Sequence, residues 1–366
     1  MAKGLQNVGM VCDAIWTDFD NDNWIDLIVV GEWMPVTFYR NNKGRFENVT
    51  AQSGVGDQIG WWNSVAAGDF DNDGDIDFIV GNLGQNSFLR ATDKQPVSIY
   101  AKDFDNNGSI DPIVTLFLKD KSGVRREYTA MNRDDIVSQL PSVRKRFLTY
   151  KEFANADIQQ IFPDDEMKGA IEVRANNFRS CLLINNGHGK FKLKPLPDMA
   201  QMAPINGMVV DDFDADGNLD VMINGNDYGN EVFNGRYDAM NGLLLLGNGA
   251  GQFTAQTILQ SGFFTPGDAK ALIKLRGAYD GYLLAASQNR GPLKIFKARA
   301  TQKTIPLQPS DKAVYIKLAN GKTRKEELYF GNSFLSQSGR FLKINNSLAA
   351  IEVEDNKGRK RQLSLR

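Results

Sequence analysis

Acidic side chains recur along this chain at a spacing that suits the binding of a hard cation. Asp18, Asp20, Asp22 and Asp26 occupy positions 1, 3, 5 and 9 of a nine-residue segment whose seventh residue is Trp24. The frame returns as Asp69, Asp71, Asp73, Asp75 and Asp77, as Asp103, Asp105, Asn107, Ser109 and Asp111, and as Asp212, Asp214, Asp216, Asn218 and Asp220. Carboxylates packed this densely repel one another unless a cation neutralises them. Oxygen donors without histidine or cysteine select Ca2+ or Mg2+ over zinc or copper. Alternate spacing lets a tightly curled loop aim its side chains inward. Glycine at position 6 permits the turn, and the carbonyl of position 7 adds an oxygen. Six to eight oxygens in flexible geometry suit Ca2+, whereas Mg2+ demands a stricter octahedron. About four structural calcium sites are expected, the third weakest because Asn107 carries no charge. The first has Asn23 where the others have glycine, which Asn tolerates because it visits the left-handed region. An EF-hand would need glutamate at position 12, which here is Val29, Val80, Val114 or Ile223.

The elements around these segments repeat as well. Short apolar runs precede each one, such as Ala14–Thr17 and Val65–Gly68, and strand-like runs such as Leu27–Gly31 and Phe78–Gly81 follow. Asn/Gly turns ending in phenylalanine, at 183–191 and 246–253, read as tight hairpins. Strand, acidic loop, strand and hairpin make four strands, one propeller blade. The expected fold is all-β: a propeller of about five to seven four-stranded blades over residues 1–300, then a linker and small β-rich tail over 301–366. The interval from Asp103 to Asp212 is too long for one blade, and from Met131 to Phe162 the periodicity turns helical. A helical insertion is therefore expected over about 131–168, with Val143, Phe147, Tyr150 and Ala154 on one face. A fifth unit, 268–289, keeps the strand pair without the Asp ladder.

The stretch Trp61-Trp-Asn-Ser-Val-Ala-Ala-Gly-Asp-Phe-Asp-Asn-Asp-Gly74 resembles the core of the FG-GAP or VCBS repeat, found in integrin α-subunit propellers and many bacterial surface proteins. The resemblance spans roughly residues 10–300 and implies calcium ligands at positions 1, 3, 5 and 9 of each loop. The segment Leu328–Ser338 resembles part of the ASPIC/UnbV segment that often follows such propellers. Export, adhesion and glycan handling are the family's common settings, and no single activity belongs to it.

A formal net charge of −1 gives no footprint for nucleic acid. No run approaches the length of a membrane span. The first residues lack an apolar signal region and enter the first loop as though cut from a longer exported precursor, so an extracytoplasmic location is expected. Calcium is plentiful there, and loops binding at about 10⁻⁴ to 10⁻³ M would be filled. Cys12 and Cys181 read as buried thiols. The lone His188 lies in a hairpin turn with no nucleophile motif beside it, and Arg144, Lys145 and Arg146 read as a solvated helix face. All five tryptophans, Trp16, Trp24, Trp33, Trp61 and Trp62, fall in the first two repeats, either as packing residues or as faces on which sugars stack. The expected function is a binding or scaffold module for a protein or glycan partner. The alternative is a calcium-dependent carbohydrate-active enzyme such as a polysaccharide lyase, with Arg or Lys as base.

Overall fold

The computed structural model describes residues 3–231, 234–278, 281–298, 303–328 and 330–365. Strands dominate, arranged in antiparallel sheets of which most have four strands. The fold is an all-β, propeller-like one. It divides into a larger unit of residues 1–57, 61–87 and 179–366 and a smaller unit of 58–60 and 88–178.

Four blade-like sheets carry the larger unit. The first runs in order Met10–Thr17, Asp26–Pro35, Thr37–Asn42 and Arg45–Asn48. The third runs Ile205–Asp211, Asp220–Gly225, Leu243–Gly247 and Phe253–Gln256, and the fourth has three strands, Ala269–Arg276, Tyr282–Gln288 and Lys294–Lys297. The second is discontinuous in sequence: Ser64–Gly68 and Asp77–Gly81 pair onward to Cys181–Asn185 and Phe191–Pro195. Its seam is in register at Val80↔Cys181, Ile79↔Leu182 and Phe78↔Leu183. Residues 88–178 of the smaller unit are thus threaded between the second and third strands of one sheet.

Side chains stitch the first strands together in sequence. Asp13 Oδ2 accepts from the Val65 amide at 3.0 Å, Ser64 Oγ donates to the Ile205 carbonyl at 3.0 Å, and Asn206 Nδ2 donates to the Ala269 carbonyl at 2.8 Å. Between sheets lie separate apolar cores. Ile28, Phe38, Trp62, Phe78 and Phe191 fill the first, and Phe70, Ile79, Leu182, Val221 and Leu245 the second. Packing explains the repeated phenylalanine at position 2: Phe19 packs on Phe191 of the next sheet, Phe70 on Phe253 and Phe213 on Tyr282, while Phe104 of the third loop packs on Phe162 within the smaller unit.

The smaller unit has its own sheet, ordered Arg125–Thr129, Asp111–Lys119, Val97–Lys102 and Ile171–Ala175, and the third acidic loop joins two of those strands. Ile113 of this sheet packs with Ile136, Leu140, Val143, Phe153, Ile161 and Phe162 from short helices. One continuous amphipathic face through Val143, Phe147, Tyr150 and Ala154 does not form. Ser142–Arg146 and Tyr150–Asn155 are separate helices, because Thr149 and Glu152 build a capping box that starts a new one. Val143 is buried, whereas Tyr150 and Ala154 are exposed.

Residues beyond 300 belong to the larger unit. They form a sheet ordered Thr323–Glu327, Asp311–Leu318, Leu348–Asp355 and Lys360–Leu363, beside a pair made by Lys303–Pro306 and Phe341–Ile344. The turn-rich stretch before Phe341–Ile344 runs along the first strands of the third and fourth sheets: Ser333, Ser336 and Ser338 hydroxyls accept from the Met208, Leu272 and Lys274 amides at 3.0–3.1 Å.

Candidate metal centres

Backbone conformation makes each acidic loop. Position 4 is left-handed in all four, at Asn21, Asn72, Asn106 and Ala215 with φ of 58°, 59°, 58° and 66°. Position 6 is left-handed too, at Asn23, Gly74, Gly108 and Gly217. Two such turns in three residues curl the chain and point its amides inward. The position-6 amide then donates to the position-1 carboxylate: Asn23 to Asp18, Gly74 to Asp69, Gly108 to Asp103 and Gly217 to Asp212, at 2.8–3.1 Å. Position 5 accepts from position 7, with Asp22, Asp73, Asn107 and Asp216 taking the amides of Trp24, Asp75, Ser109 and Asn218 at 2.7–2.9 Å.

Position 9 has a second task. Asp77 is fully buried, and its two oxygens accept from the Phe70 amide at 3.1 Å and the Asn185 amide at 2.8 Å. Asp26 does the same with Phe19 and Asn41, and Asp220 with Phe213 and Gly247. Each thereby fastens the loop entrance to the third strand of its sheet. Asp111 holds the Phe104 amide at 3.0 Å.

Carboxylate oxygens converge in every loop. Those of Asp18, Asp20 and Asp22 lie within 4.8 Å of one another, as do those of Asp69, Asp71 and Asp73, of Asp103, Asp105 and Asp111, and of Asp212, Asp214 and Asp220. These groups could hold a metal ion. The residues fit one on a further count, since Asp18 Oδ1, Asp71 Oδ1 and Asp212 Oδ1 are buried oxygens with no hydrogen-bond partner. An orphaned anionic oxygen is expensive to bury unless a cation meets it. Burial, reinforced by neighbouring aspartates, pushes the Asp26 and Asp77 carboxyls up to about 8 and Asp220 to about 7. Asp18 and Asp69 rise to about 6, again chiefly through burial. A bound cation reverses this logic by favouring the ionised form. Asp75 takes no part in its loop's group and instead accepts from Asn21 Nδ2 at 2.6 Å.

That contact belongs to a relay. Position 4 of loop 1 bonds position 7 of loop 2, and Asn72 of loop 2 donates to Asn218 of loop 4 at 3.0 Å. The tail adds residues that the repeat does not encode. Glu327 Oε2 accepts from Thr17 Oγ1 at 2.7 Å and from the Asp18 amide at 3.3 Å. The Lys325 amide donates to Asp69 Oδ2 at 3.0 Å, and its Nζ reaches Asn21 Oδ1 at 2.7 Å. Asn345 Nδ2 donates to Asp212 Oδ2 at 2.8 Å, and Arg324 donates to the Gly217 carbonyl. Only the charged, β-permissive run 323–327 hinted at these contacts, and such a run ordinarily reads as a solvated strand.

Of the tryptophans, Trp62 is wholly buried and serves packing. Trp33 and Trp61 are half-buried, with ring centroids 5.2 Å apart. Trp33 has a φ of 58°, a left-handed conformation that a bulky side chain rarely adopts. His188 is exposed at its hairpin turn, and Arg146 pairs with Glu166 at 2.9 Å. Cys181 is buried and its thiol is pushed up to about 12 by that burial, while Cys12 is half-buried.

With this geometry, the family model for the FG-GAP-like repeat matches residues 18–80, from the first carboxylate of loop 1 to the strand after loop 2. No curated protein matches the chain. Among the described residues no helix is long and apolar enough to cross a membrane.

Proposed function

We propose that this chain is a calcium-stabilised scaffold working outside the cytoplasm, whose rigid sheets present a surface to a glycan or protein partner. The buried, unpartnered oxygens of Asp18, Asp71 and Asp212 at the convergence of loops 1, 2 and 4 carry the metal half of this reading. Their hard, all-oxygen surroundings and the backbone carbonyls nearby suit Ca2+ better than a transition metal. The ligands are Asp18, Asp20 and Asp22, Asp69, Asp71 and Asp73, Asp103, Asp105 and Asp111, and Asp212, Asp214 and Asp220, joined by the position-7 carbonyls. The FG-GAP likeness and the abundance of extracellular calcium support the location.

Recognition is assigned to the Trp33–Trp61 pair. Two adjacent indoles, one held in a strained backbone conformation, make an amphipathic platform on which a sugar ring stacks. Elemental analysis after dialysis should find calcium, and chelation should lower the melting temperature. A melt indifferent to chelator would end the metal reading. W33A and W61A should abolish binding on a glycan array while leaving the melt nearly unchanged; unaltered binding would move the partner surface elsewhere.

A further inference from the structure

We infer that the C-terminal segment and loops 1, 2 and 4 form one metal-linked assembly, in which Glu327, Lys325 and Asn345 hold the first residue of loops 1, 2 and 4 in turn, while loop 3 binds its ion independently. The inference rests on the calcium reading above.

The contacts fall on the same place three times. In loop 2 the Lys325 amide shares Asp69 Oδ2 with the Gly74 amide, and in loop 4 Asn345 Nδ2 shares Asp212 Oδ2 with the Gly217 amide. In loop 1 Glu327 takes the Asp18 amide and the hydroxyl of Thr17 just before it. For Asp18 and Asp212 the other oxygen, Oδ1, is the buried and unpartnered one. In loops 1 and 4 the tail therefore fixes a residue whose remaining oxygen is left to face the ion, whereas in loop 2 Asp69 Oδ1 takes the Asp73 amide and the unpartnered oxygen is that of Asp71. Outer partners of this kind raise metal affinity by about 10- to 100-fold. Linkage is reciprocal, so an ion that profits from a docked tail must hold the tail down by the same factor.

Charge points the same way. Glu327 and Asp18 are like charges side by side, with Lys325 Nζ 3.0 Å from Glu327 as counter-ion. A cation in loop 1 removes that repulsion and favours the docked strand. The relay from Asn21 to Asp75 and from Asn72 to Asn218 joins the three loops to one another. Loop 3 stands apart, since the hydrogen bonds on Asp103, Asp105 and Asp111 come from the Phe104, Asn107 and Gly108 amides of the loop itself.

Hydrogen exchange of the whole chain, followed by mass spectrometry across a calcium titration, tests this without any variant. Residues 18–26, 69–77, 212–220 and 323–327 should gain protection at one common calcium concentration, and 103–111 at a different one. N345A should then raise the midpoint of 212–220 by about 10-fold, drag the other members of the group part of the way, and leave 103–111 unmoved. Loops that gain protection while 323–327 stays unchanged would overturn the coupling and leave the calcium reading standing. So would an N345A protein whose midpoints all match the parent. Absence of calcium-dependent protection anywhere overturns both.

Discussion

Replacing Asp77 by asparagine separates the two tasks of position 9. With calcium bound at neutral pH, Asp77 is an ionised, fully buried carboxylate whose oxygens take two backbone amides at 3.1 and 2.8 Å. Asparagine keeps one acceptor and turns an NH₂ group toward the other amide. The loss is one charge-assisted bond, worth ~1.5–3 kcal/mol, plus a buried donor without a partner, worth ~1–3 kcal/mol. The total should be about 4 kcal/mol, which moves a urea midpoint by ~1.3 M when m is ~3 kcal/mol/M. In chelator at pH 6 the outcome changes. Burial holds the metal-free Asp77 carboxyl at about 8, so it is already protonated there and already lacks its second acceptor. D77N, isosteric with that form, should then be within ~1 kcal/mol of the parent. Urea unfolding of both proteins, with calcium at pH 7.5 and with chelator at pH 6, measures the two differences. Equal penalties in the two conditions would refute the assignment of position 9 as a strut whose ionisation depends on the metal.

The pH dependence should invert with calcium. Asp26, Asp77 and Asp220 have folded values raised above the unfolded one, so the metal-free protein holds their contribution at low pH and loses it as pH climbs from about 4 through 7 to 8. Melting in chelator should thus be higher at pH 5.5 than at pH 8, and the order should reverse in excess calcium, whose binding competes with protons. Ala215 holds a left-handed conformation that its counterparts fill with asparagine. A215N should stabilise by ~0.5–1 kcal/mol in urea unfolding, since alanine is strained there by ~1–2 kcal/mol; an unchanged midpoint would mean the loop relaxes instead. Phe191 stacks on Phe38 at 4.6 Å and meets Phe19 and Phe78 edge-on, so F191A should cost ~3–5 kcal/mol by the same assay.

The acidic loops were legible because their chemistry is local and repeated in one frame. Asp, Phe, Asp and a left-handed sixth residue are dictated within nine positions, whereas the left-handed fourth residue, filled by alanine in loop 4, was not. Position 8 is apolar in all four loops, as Ile25, Ile76, Ile110 and Leu219, but its environment is not local. Ile76 and Leu219 are buried in the cores beside the preceding sheets, whereas Ile25, at the end of loop 1, and Ile110, in the smaller unit, are exposed. The broken second sheet could not be read, since nothing around Phe78 or Leu183 announces a partner a hundred residues away. A hairpin signal marks a turn, never the neighbour of the outer strand. The helical segment had the right periodicity, but the caps at Thr149 and Asp157 cut it into pieces. Lys325, on a short strand, and Asn345, just past the end of one, were not legible for a related reason: such polar residues carry no sign that a distant carboxylate awaits them.

The threading of residues 88–178 through the second sheet also sets a timetable for synthesis. Strand Asp77–Gly81 leaves the ribosome long before Cys181–Asn185, its neighbour. At ~5–20 residues per second, about 5–20 s pass while that strand's edge has no partner and Phe78 lacks the cover of Phe191. The first core cannot close in that interval either, because Leu183 and Phe191 belong to it. The smaller unit, whose sheet and helices draw on residues within its own span, can complete its local contacts meanwhile. A nascent chain of this design therefore spends that interval with an open strand edge, waiting on a late hairpin.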